Sequence, residues 1–553
     1  MQKTQAADAQ VREAKPRQFW NRLTLGFARV PVLLRLRQPI LCPRCKTDLT
    51  TQPLYRRWLV CDQCGFHFSI SARARINHLV DPRSFREFSS AVLRREKAPP
   101  QRKAILTGVA RLHRRPLVIA AFDFQILGGT MSVLVGEEIT RAIEYAAEHA
   151  LPFIVSTATG GVRIQEGIPA LLQMAKTTQA IQQFQQGRQP FIAVLTHPTT
   201  GGVYASFSNL ADIILAEPGA VIGFAGPRVA EALTHEKLAA ESHRAESAYK
   251  NGMIDAIVAR QNLRATLTRI LPVSPAEPLP ELANQETASA EIREQSAEEI
   301  TALSRRTDRP TSLDYIKQLC ADFVELHGDR LLGDDPAIVG GLAQFENQPL
   351  ILIAQQRKPV RPEGYHKAER LIHLAERFHL PIVTMIDTPG ADPGFESEQH
   401  GIAGAIAHCL ATLLQTNGPT ISVIIGEGTS GGALALAVTD RVLMMENATF
   451  SVISAEGASV ILFGDTSHAA ETVAKLGNRA IDLQPLGIVD RIIAEPKAGA
   501  HAQPDAAIAA VEIAIHATLA ELQKQNDDER LEARRARYRG AGLNTFSTPS
   551  TLD

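Results

Sequence analysis

The sequence predicts an α/β protein made of two tandem domains of parallel βα units, preceded by a small metal-binding ribbon. Three observations carry this. The chain repeats itself: residues 108–120 read GVARLHRRPLVIA and residues 341–353 read GLAQFENQPLILI. Pro152 leads an apolar run into Gly160-Gly161, as Pro381 leads one into Pro389-Gly390. Pro190 introduces FIAVLTHPTTGG, ending at Gly201-Gly202, and Pro419 introduces TISVIIGEGTSGG, ending at Gly431-Gly432; the offset stays between 229 and 233. The second observation is alternation. Short β-branched runs (PLVIAAF, PFIVST, PFIAVL, AVIGFA; then PLILIA, PIVTMI, PTISVIIG, FSVIS) are separated by helix-length segments. Continuous apolar runs suit strands buried on both faces, and intervening helices suit parallel crossovers. The third is cysteine spacing, C-x2-C-x15-C-x2-C.

Taken in order along the chain, residues 1–38 read as a polar, then basic leader, 39–68 as the ribbon and 69–271 as the first large domain. Residues 272–300, rich in Pro, Ala and Glu, read as a linker, 301–520 as the second large domain and 521–553 as a charged tail that frays at its end. A chain of 553 residues accommodates this many units. The net charge of −1 gives the whole chain no electrostatic case for nucleic acid. There is no apolar run of membrane-spanning length and no apolar signal core at the N-terminus, so a cytoplasmic location is expected. Residues 20–36 mix arginine with apolar residues. They read as a docking segment ahead of an interfacial membrane helix, because Pro31 interrupts them. Cys320 and Cys409 stand alone and read as small buried residues of a reducing compartment.

The two CxxC pairs, Cys42/Cys45 and Cys61/Cys64, each place two thiolates on one side of a knuckle, and two knuckles complete a tetrahedron for Zn2+. Four-thiolate coordination leaves no open position, so the metal is expected to be structural, holding together a module too small to bury its own core. Between residues 35 and 75, eight Lys/Arg face only Asp48 and Asp62, a net of +6. This basic ribbon suits nucleic acid, a phosphate-bearing ligand such as coenzyme A, or plain solvation, and the patch alone does not separate them.

The glycine turns carry the chemistry. STATGGVRIQEG (156–167) and HPTTGGVYAS (197–206) each put a Gly pair between a strand and a helix; IDTPGADPG (386–394) and GEGTSGGALA (426–435) repeat the arrangement. Two such turns side by side aim backbone N–H groups at one oxygen, an oxyanion hole able to stabilise an enolate. One Gly pair alone would more often reflect tight packing. Four in matched positions imply two anionic centres, one per half. No GxxxxGK[ST] loop is present, which argues against ATP chemistry. GTSGG at 428–432 offers Ser430 as a hydrolase nucleophile, but its first-half counterpart PTTGG has no serine there. Glu166 reads as a cap or a partner of Arg163 before a base, and Glu427 as structural. His113 and His373 read as structural or exposed.

These motifs resemble the carboxyltransferase of bacterial acetyl-CoA carboxylase. Residues 39–271 resemble its β subunit through the CxxC pairs, FDFQILGGTMSVLVGEEITRAIEYA, TGGVRIQEG, VLTHPTTGGVYASF and AEPGAVIGFAGPRV. Residues 301–520 resemble its α subunit through RPTSLDYI, ELHGDR, PEGYHKAERL, AERFHLPIVTMIDTPGADPG and IGEGTSGGALALAVTD. The resemblance implies a β–α fusion of two crotonase-like (ClpP/crotonase) ββα spiral domains behind a zinc ribbon. It implies transfer of a carboxyl group from carboxybiotin, carried in trans by a biotin carboxyl carrier protein and charged by a separate biotin carboxylase, to acetyl-CoA, giving malonyl-CoA for fatty-acid or related biosynthesis. Gly160, Gly161, Val162, Gly201 and Gly202 would serve the coenzyme A thioester, and Gly390, Gly431 and Gly432 the biotin oxygen. A homodimer of the fused chain is implied. The sequence departs from the family at Thr159, Val162, Thr429 and Asp392, and in a shortened stretch before Pro362, changes that bear on acceptor and carrier choice. The competing readings are transfer to another acyl-CoA, a malonyl-thioester decarboxylase, and a zinc-ribbon nucleic-acid-binding protein.

Overall fold

The computed structural model describes residues 39–89, 103–239, 241–271, 278–280 and 292–541. The expected leader, most of the expected linker and the last twelve residues of the tail lie outside them.

Each half forms an eight-stranded sheet. The first contains β1 (Arg86–Glu87), β2 (Ile105–Leu112), β3 (Arg115–Phe122), β4 (Phe153–Thr159), β5 (Phe191–Thr200), β6 (Ile213–Ala216), β7 (Ile222–Gly223) and β8 (Ala256–Ile257). The second contains β9 (Asp322–Glu325), β10 (Ile338–Phe345), β11 (Gln348–Gln355), β12 (Ile382–Thr388), β13 (Thr420–Thr429), β14 (Arg441–Met445), β15 (Thr449–Ser451) and β16 (Arg491–Ile493). The strand orders are β1-β2-β3-β4-β5-β6-β8 with β7 on β5, and β9-β10-β11-β12-β13-β14-β16 with β15 on β13. The two sheets are therefore one topology written twice, as the repeat in sequence implies.

From β3 to β6 and from β11 to β14 the pairings are parallel. All residues of β4, β12 and β13 are buried, which is why their text is continuously apolar. One edge of each sheet is antiparallel: β2 pairs β3 and β10 pairs β11 as hairpins, so PLVIAAF and PLILIA open each sheet as hairpin arms. Their two-residue loops are His113-Arg114 and Glu346-Asn347, all four with positive φ, the backbone of a type I′ turn. Neither loop carries the Asn-Gly or Asp-Gly signature, so the hairpins are not legible from turn chemistry.

Helices Val133–Glu148 and Gln173–Phe184 cover one face of the first sheet through Ile139, Ile143, Ile181 and Phe184. Helices Pro362–Phe378 and Ile402–Gln415 pack together at the corresponding place in the second half. The opposite face of the first sheet (Leu117, Ile119, Ala121) shares one apolar core with the second half. The charged stretch after 521 turns two of its arginines, Arg530 and Arg534, inward. Helix Asp527–Gly540 buries Arg534, whose Nε lies 2.8 Å from Asp440 Oδ1.

Two glycines let the halves meet. A Cβ on Gly252 (φ +67°) would lie 2.1 Å from Gly333 O, and one on Gly328 (φ +78°) would lie 2.1 Å from Gly252 O. Beside them, Arg330 and Arg370 of the second half both bind the fully buried Asp255 of the first. His327 Nε2 lies 2.6 Å from Tyr249 Oη across this seam, with Asp334 and Glu325 against the ring. Burial alone would lower its pKa, but hydrogen bonds to Asp334 and Glu325 outweigh that and raise it to about 9. A raised histidine stabilises fully below its unfolded value of about 6.5 and loses that contribution as pH climbs through its folded one. Thermal unfolding across pH 6–10 should therefore show a decline above neutrality that His327→Gln flattens. Identical slopes for the two proteins would remove this contribution.

Candidate active site and metal centre

The β4 ladder slips between Thr157 and Thr159, and the β12 ladder slips at the matching place, between Ile386 and Thr388. At each slip a threonine hydroxyl accepts the N–H two residues on: Gly161 N–H to Thr159 Oγ1 at 2.9 Å, and Gly390 N–H to Thr388 Oγ1 at 3.1 Å. Each glycine then accepts from a crossing segment, Gly161 O from Met131 N–H (2.8 Å) and Gly390 O from Val360 N–H (3.1 Å). Isolated bridges Met131–Val162 and Val360–Ala391 complete the match. Gly161 (φ +106°) holds a backbone conformation that strains any side chain, and its Cβ would press on Gly201 Cα at 3.2 Å.

The second turn of each half follows β5 and β13. Gly201 has φ +65° and Ser430 has φ +59°. Strand ends and dihedrals thus make Ser430 the counterpart of Gly201, and Gly431 that of Gly202. The sequence pairing of Gly201-Gly202 with Gly431-Gly432 is one residue out of register.

Accounting for the N–H groups narrows the donors. Gly160 N–H is given to Gly128 O and Gly201 N–H to Phe224 O, each at 2.9 Å, while Gly161 and Gly390 serve their threonines. Among the described residues, Val162, Gly202, Ala391 and Gly431 have no acceptor for theirs. Gly202 and Gly431 stand in the first turns of short helices, where N–H groups have no intrahelical partner. Each half therefore offers two adjacent free donors. Ala391 was not among the residues singled out in the sequence; its signal was its register with Val162, hidden because Pro389 stands where the first half has Gly160. Gly432 has a packing role, since its Cβ would lie 2.4 Å from Ala391 N.

Side chains around the turns hold them. Glu166 does both things expected of it: Oε2 accepts Val133 N–H (2.7 Å), capping helix 133–148, and Oε1 pairs with Arg163 (3.2 Å). Glu427 is buried; its Oε1 lies 2.6 Å from Arg305 Nη2 and 3.2 Å from Thr429 Oγ1. Thr429 Cγ2 stands 3.8 Å from the position a Gly390 Cβ would take, so the departure from glycine fills space on that side. Asp392 turns its carboxylate to Ser397 Oγ, within the opening of helix Phe395–Gln399. Burial raises the Asp387 carboxyl against the opposing pull of Arg357, and Asp387 Oδ1 accepts Glu427 N–H at 3.2 Å. Ser430 Oγ has no hydrogen-bond partner among the described residues, so no base is positioned to activate it. His373 and His113 are exposed.

The four ribbon cysteines converge, with all Sγ atoms within 4.8 Å of one another. Cys42–Cys64 and Cys45–Cys61 are each 3.6 Å apart across the knuckles. A tetrahedron with metal–sulfur bonds of about 2.3 Å spaces its sulfurs roughly 3.8 Å apart, so the donor set fits a tetrahedral ion. The knuckles are themselves twins: Lys46 N–H donates to Cys42 O and Gly65 N–H to Cys61 O, both at 2.9 Å and both from left-handed residues.

Twin spiral units with matched glycine turns define the class, a tandem crotonase-like fold. Comparison with known proteins agrees. Residues 279–542 match the family described as acetyl co-enzyme A carboxylase carboxyltransferase-like. The carboxyl transferase subunits beta/alpha of acetyl-coenzyme A carboxylase from Natranaerobius thermophilus are 39% identical over 93% of this chain and 92% of theirs. Those of Salinispora arenicola are 40% identical over 91% and 96%. A transcarboxylase 12S structure with methylmalonyl-coenzyme A bound shares the fold at TM-score 0.69 and 22% identity, over 83% of this chain and 91% of that one. The chain belongs to the acetyl-coenzyme A carboxylase carboxyl transferase beta/alpha family. No helix among the described residues is long and apolar enough to cross a membrane.

Proposed function

We propose that this chain transfers the carboxyl group of carboxybiotin, presented on a separate carrier protein, to acetyl-CoA to form malonyl-CoA. The observation that carries the reading is the matched pair of free amide donors in each half. When bound, carboxybiotin supplies the activated carboxyl group. Val162 and Gly202 N–H groups would hold the thioester oxygen and Ala391 and Gly431 the ureido oxygen of biotin, whose ring nitrogen, once relieved of the carboxyl group, would take the proton that the acyl carbon gives up. Donors fixed in advance cost no reorganisation as charge develops, so stabilising two oxyanions needs no side-chain base. The test is malonyl-CoA formation by the purified chain with carboxylated carrier. Product from acetyl-CoA is expected; none from acetyl-, propionyl- or butyryl-CoA with a folded chain would overturn the reading.

Two copies would complete the site. The rims of both turn regions expose large apolar residues: Ile164, Phe224 and Leu233 in the first half, Phe395, Val452 and Ile461 in the second, all more than 70% exposed. Exposed apolar faces of this kind mark interaction surfaces. Residues 39–271 carry 27 Lys/Arg against 18 Asp/Glu, a net of +9, and residues 301–520 carry 16 against 26, a net of −10. Opposite charge favours the first half of one copy facing the second half of another.

Zn2+ is the ion the four thiolates suit. The ribbon's own apolar core is little more than Cys42, Leu49 and Cys61, so metal binding, worth on the order of 10 kcal/mol, would be its folding energy. Chelation should release one equivalent of zinc and make residues 39–68 protease-sensitive while the twin sheets stay folded. A metal-free chain with a protected ribbon would refute this.

A further inference from the structure

At the seam between the halves, remote from the turns, lies a cavity of about 200 Å³ lined by Arg330, Arg370, Arg377, His373, Asn209 and Asp212. It sits where β6 begins and helix Pro362–Phe378 ends, at the amino ends of the first sheet's strands, whereas the glycine turns lie at the carboxyl ends.

We propose that this cavity is a binding site for a phosphate-class oxyanion. Three guanidinium groups converge on it, and Asp212 is the one carboxylate in its wall. Arg377 donates from Nε to Gln185 O and from Nη2 to Gln189 O, while its buried Nη1 lies against Asp212 without making a hydrogen bond. The other two keep donors in hand. Arg330 uses its terminal nitrogens on Met253 O and Asp255, leaving Nε buried without a partner. Arg370 spends Nε and Nη2 on Gly328 O, His327 O and Asp255, and its Nη1 has no acceptor among the described residues. The Asn209 side-chain amide likewise has none. Only Arg330 Nε is buried without an acceptor; Asn209 and Arg370 present their free donors to the cavity, and planar guanidinium forks match tetrahedral oxyanions. Burial, with a smaller push from Arg370, lowers the pKa of Arg330 to about 10 against the pull of Asp255 and Asp212. The volume leaves room beyond a bare phosphate, so the occupant is either the free ion or the head of a small phosphomonoester.

The experiment is calorimetric titration of the full-length chain with inorganic phosphate and, separately, glycerol 3-phosphate, at fixed ionic strength against a chloride control. Saturable binding is expected for at least one of them, and which is tighter identifies the source. Asn209→Asp puts a carboxylate on the wall without breaking any seam contact and should abolish binding. Arg370→Gln should weaken it roughly tenfold or more. Absence of saturable binding to both ligands, or equal affinity in the wild-type chain and Asn209→Asp, would overturn the proposal. Because the readout is binding, neither result depends on whether the chain transfers carboxyl groups.

Discussion

Gly431→Val is expected to leave the chain folded and to cut carboxyl transfer by about 100-fold or more, the scale of losing one oxyanion donor. The argument rests on what surrounds this glycine. Its φ is not positive, and a Cβ built on it meets nothing closer than Ile406 Cγ2 at 4.0 Å. Nothing inside the chain requires glycine there, so the remaining reason is outside the chain: a ligand that must approach the Gly431 N–H. Gly432 is the control. Its Cβ would lie 2.7 Å from Gly390 C and from Tyr365 Oη, so Gly432→Ala must displace backbone and should lower stability by roughly 1–3 kcal/mol as well as activity. The measurement is transfer rate beside the thermal midpoint for both variants. A folded, fully active Gly431→Val would remove the second half's turn from the mechanism; equal destabilisation of both variants would mean that packing, not ligand access, fixes the glycine.

The fold was legible because it is written twice. A buried parallel strand betrays itself by continuous apolar text, and two copies at a constant offset exclude accident; that is why β3, β4 and β5 and their partners β11, β12 and β13 fall where PLVIAAF, PFIVST and PFIAVL and their repeats predict. Short strands such as Ala256–Ile257 and Arg491–Ile493 carry too few residues to show a period. The turns were legible as places but not as donors. Which N–H is free depends on Thr159 and Thr388 satisfying the glycines two residues on, and on Met131 and Val360 crossing behind them, contacts between residues far apart in sequence. Sequence similarity of the two turns pointed to the Gly pairs and Val162; only hydrogen-bond accounting adds Ala391 and takes the weight off Gly160, Gly161, Gly201 and Gly390. Likewise nothing in the text marks Asn209 as a neighbour of Arg330 and Arg370, because the seam joins it to residues more than a hundred positions on.

Removing the charge of Glu217 should detach the ribbon from the body. Glu217 is 1% exposed. Its Oε1 and Oε2 each lie 2.8 Å from Arg260, and Arg75 Nη1 lies 2.5 Å from Oε1. Arg260 also donates from Nη1 to Trp58 O (2.8 Å) and from its backbone to His67 Nε2 (3.2 Å), so the second cysteine knuckle hangs on this arginine. Two buried guanidinium groups share one carboxylate. Without it they would face each other uncompensated, and breaking a buried pair this way costs about 3–5 kcal/mol, whereas the net worth of the intact cluster is far smaller. Glu217→Gln preserves shape and tests charge alone. Burial by itself would raise this carboxyl, but Arg75 and Arg260 hold it well below the usual carboxylate range. A depressed carboxylate contributes its full stability above its unfolded pKa, about 4.3, and loses it only as pH falls through the lower folded value. Glu217 should therefore stay charged across the whole pH range in which the thiolates hold their metal, and Glu217→Gln should show rapid amide exchange over residues 55–68 throughout that range while the wild-type ribbon stays docked. Because Glu217 N–H also bonds Leu195 O at 3.0 Å on β5, whose far end carries Gly201 and Gly202, the loosened variant should lose transfer activity in step with that exchange. Unchanged exchange in Glu217→Gln would show that the ribbon is held by its apolar contacts alone.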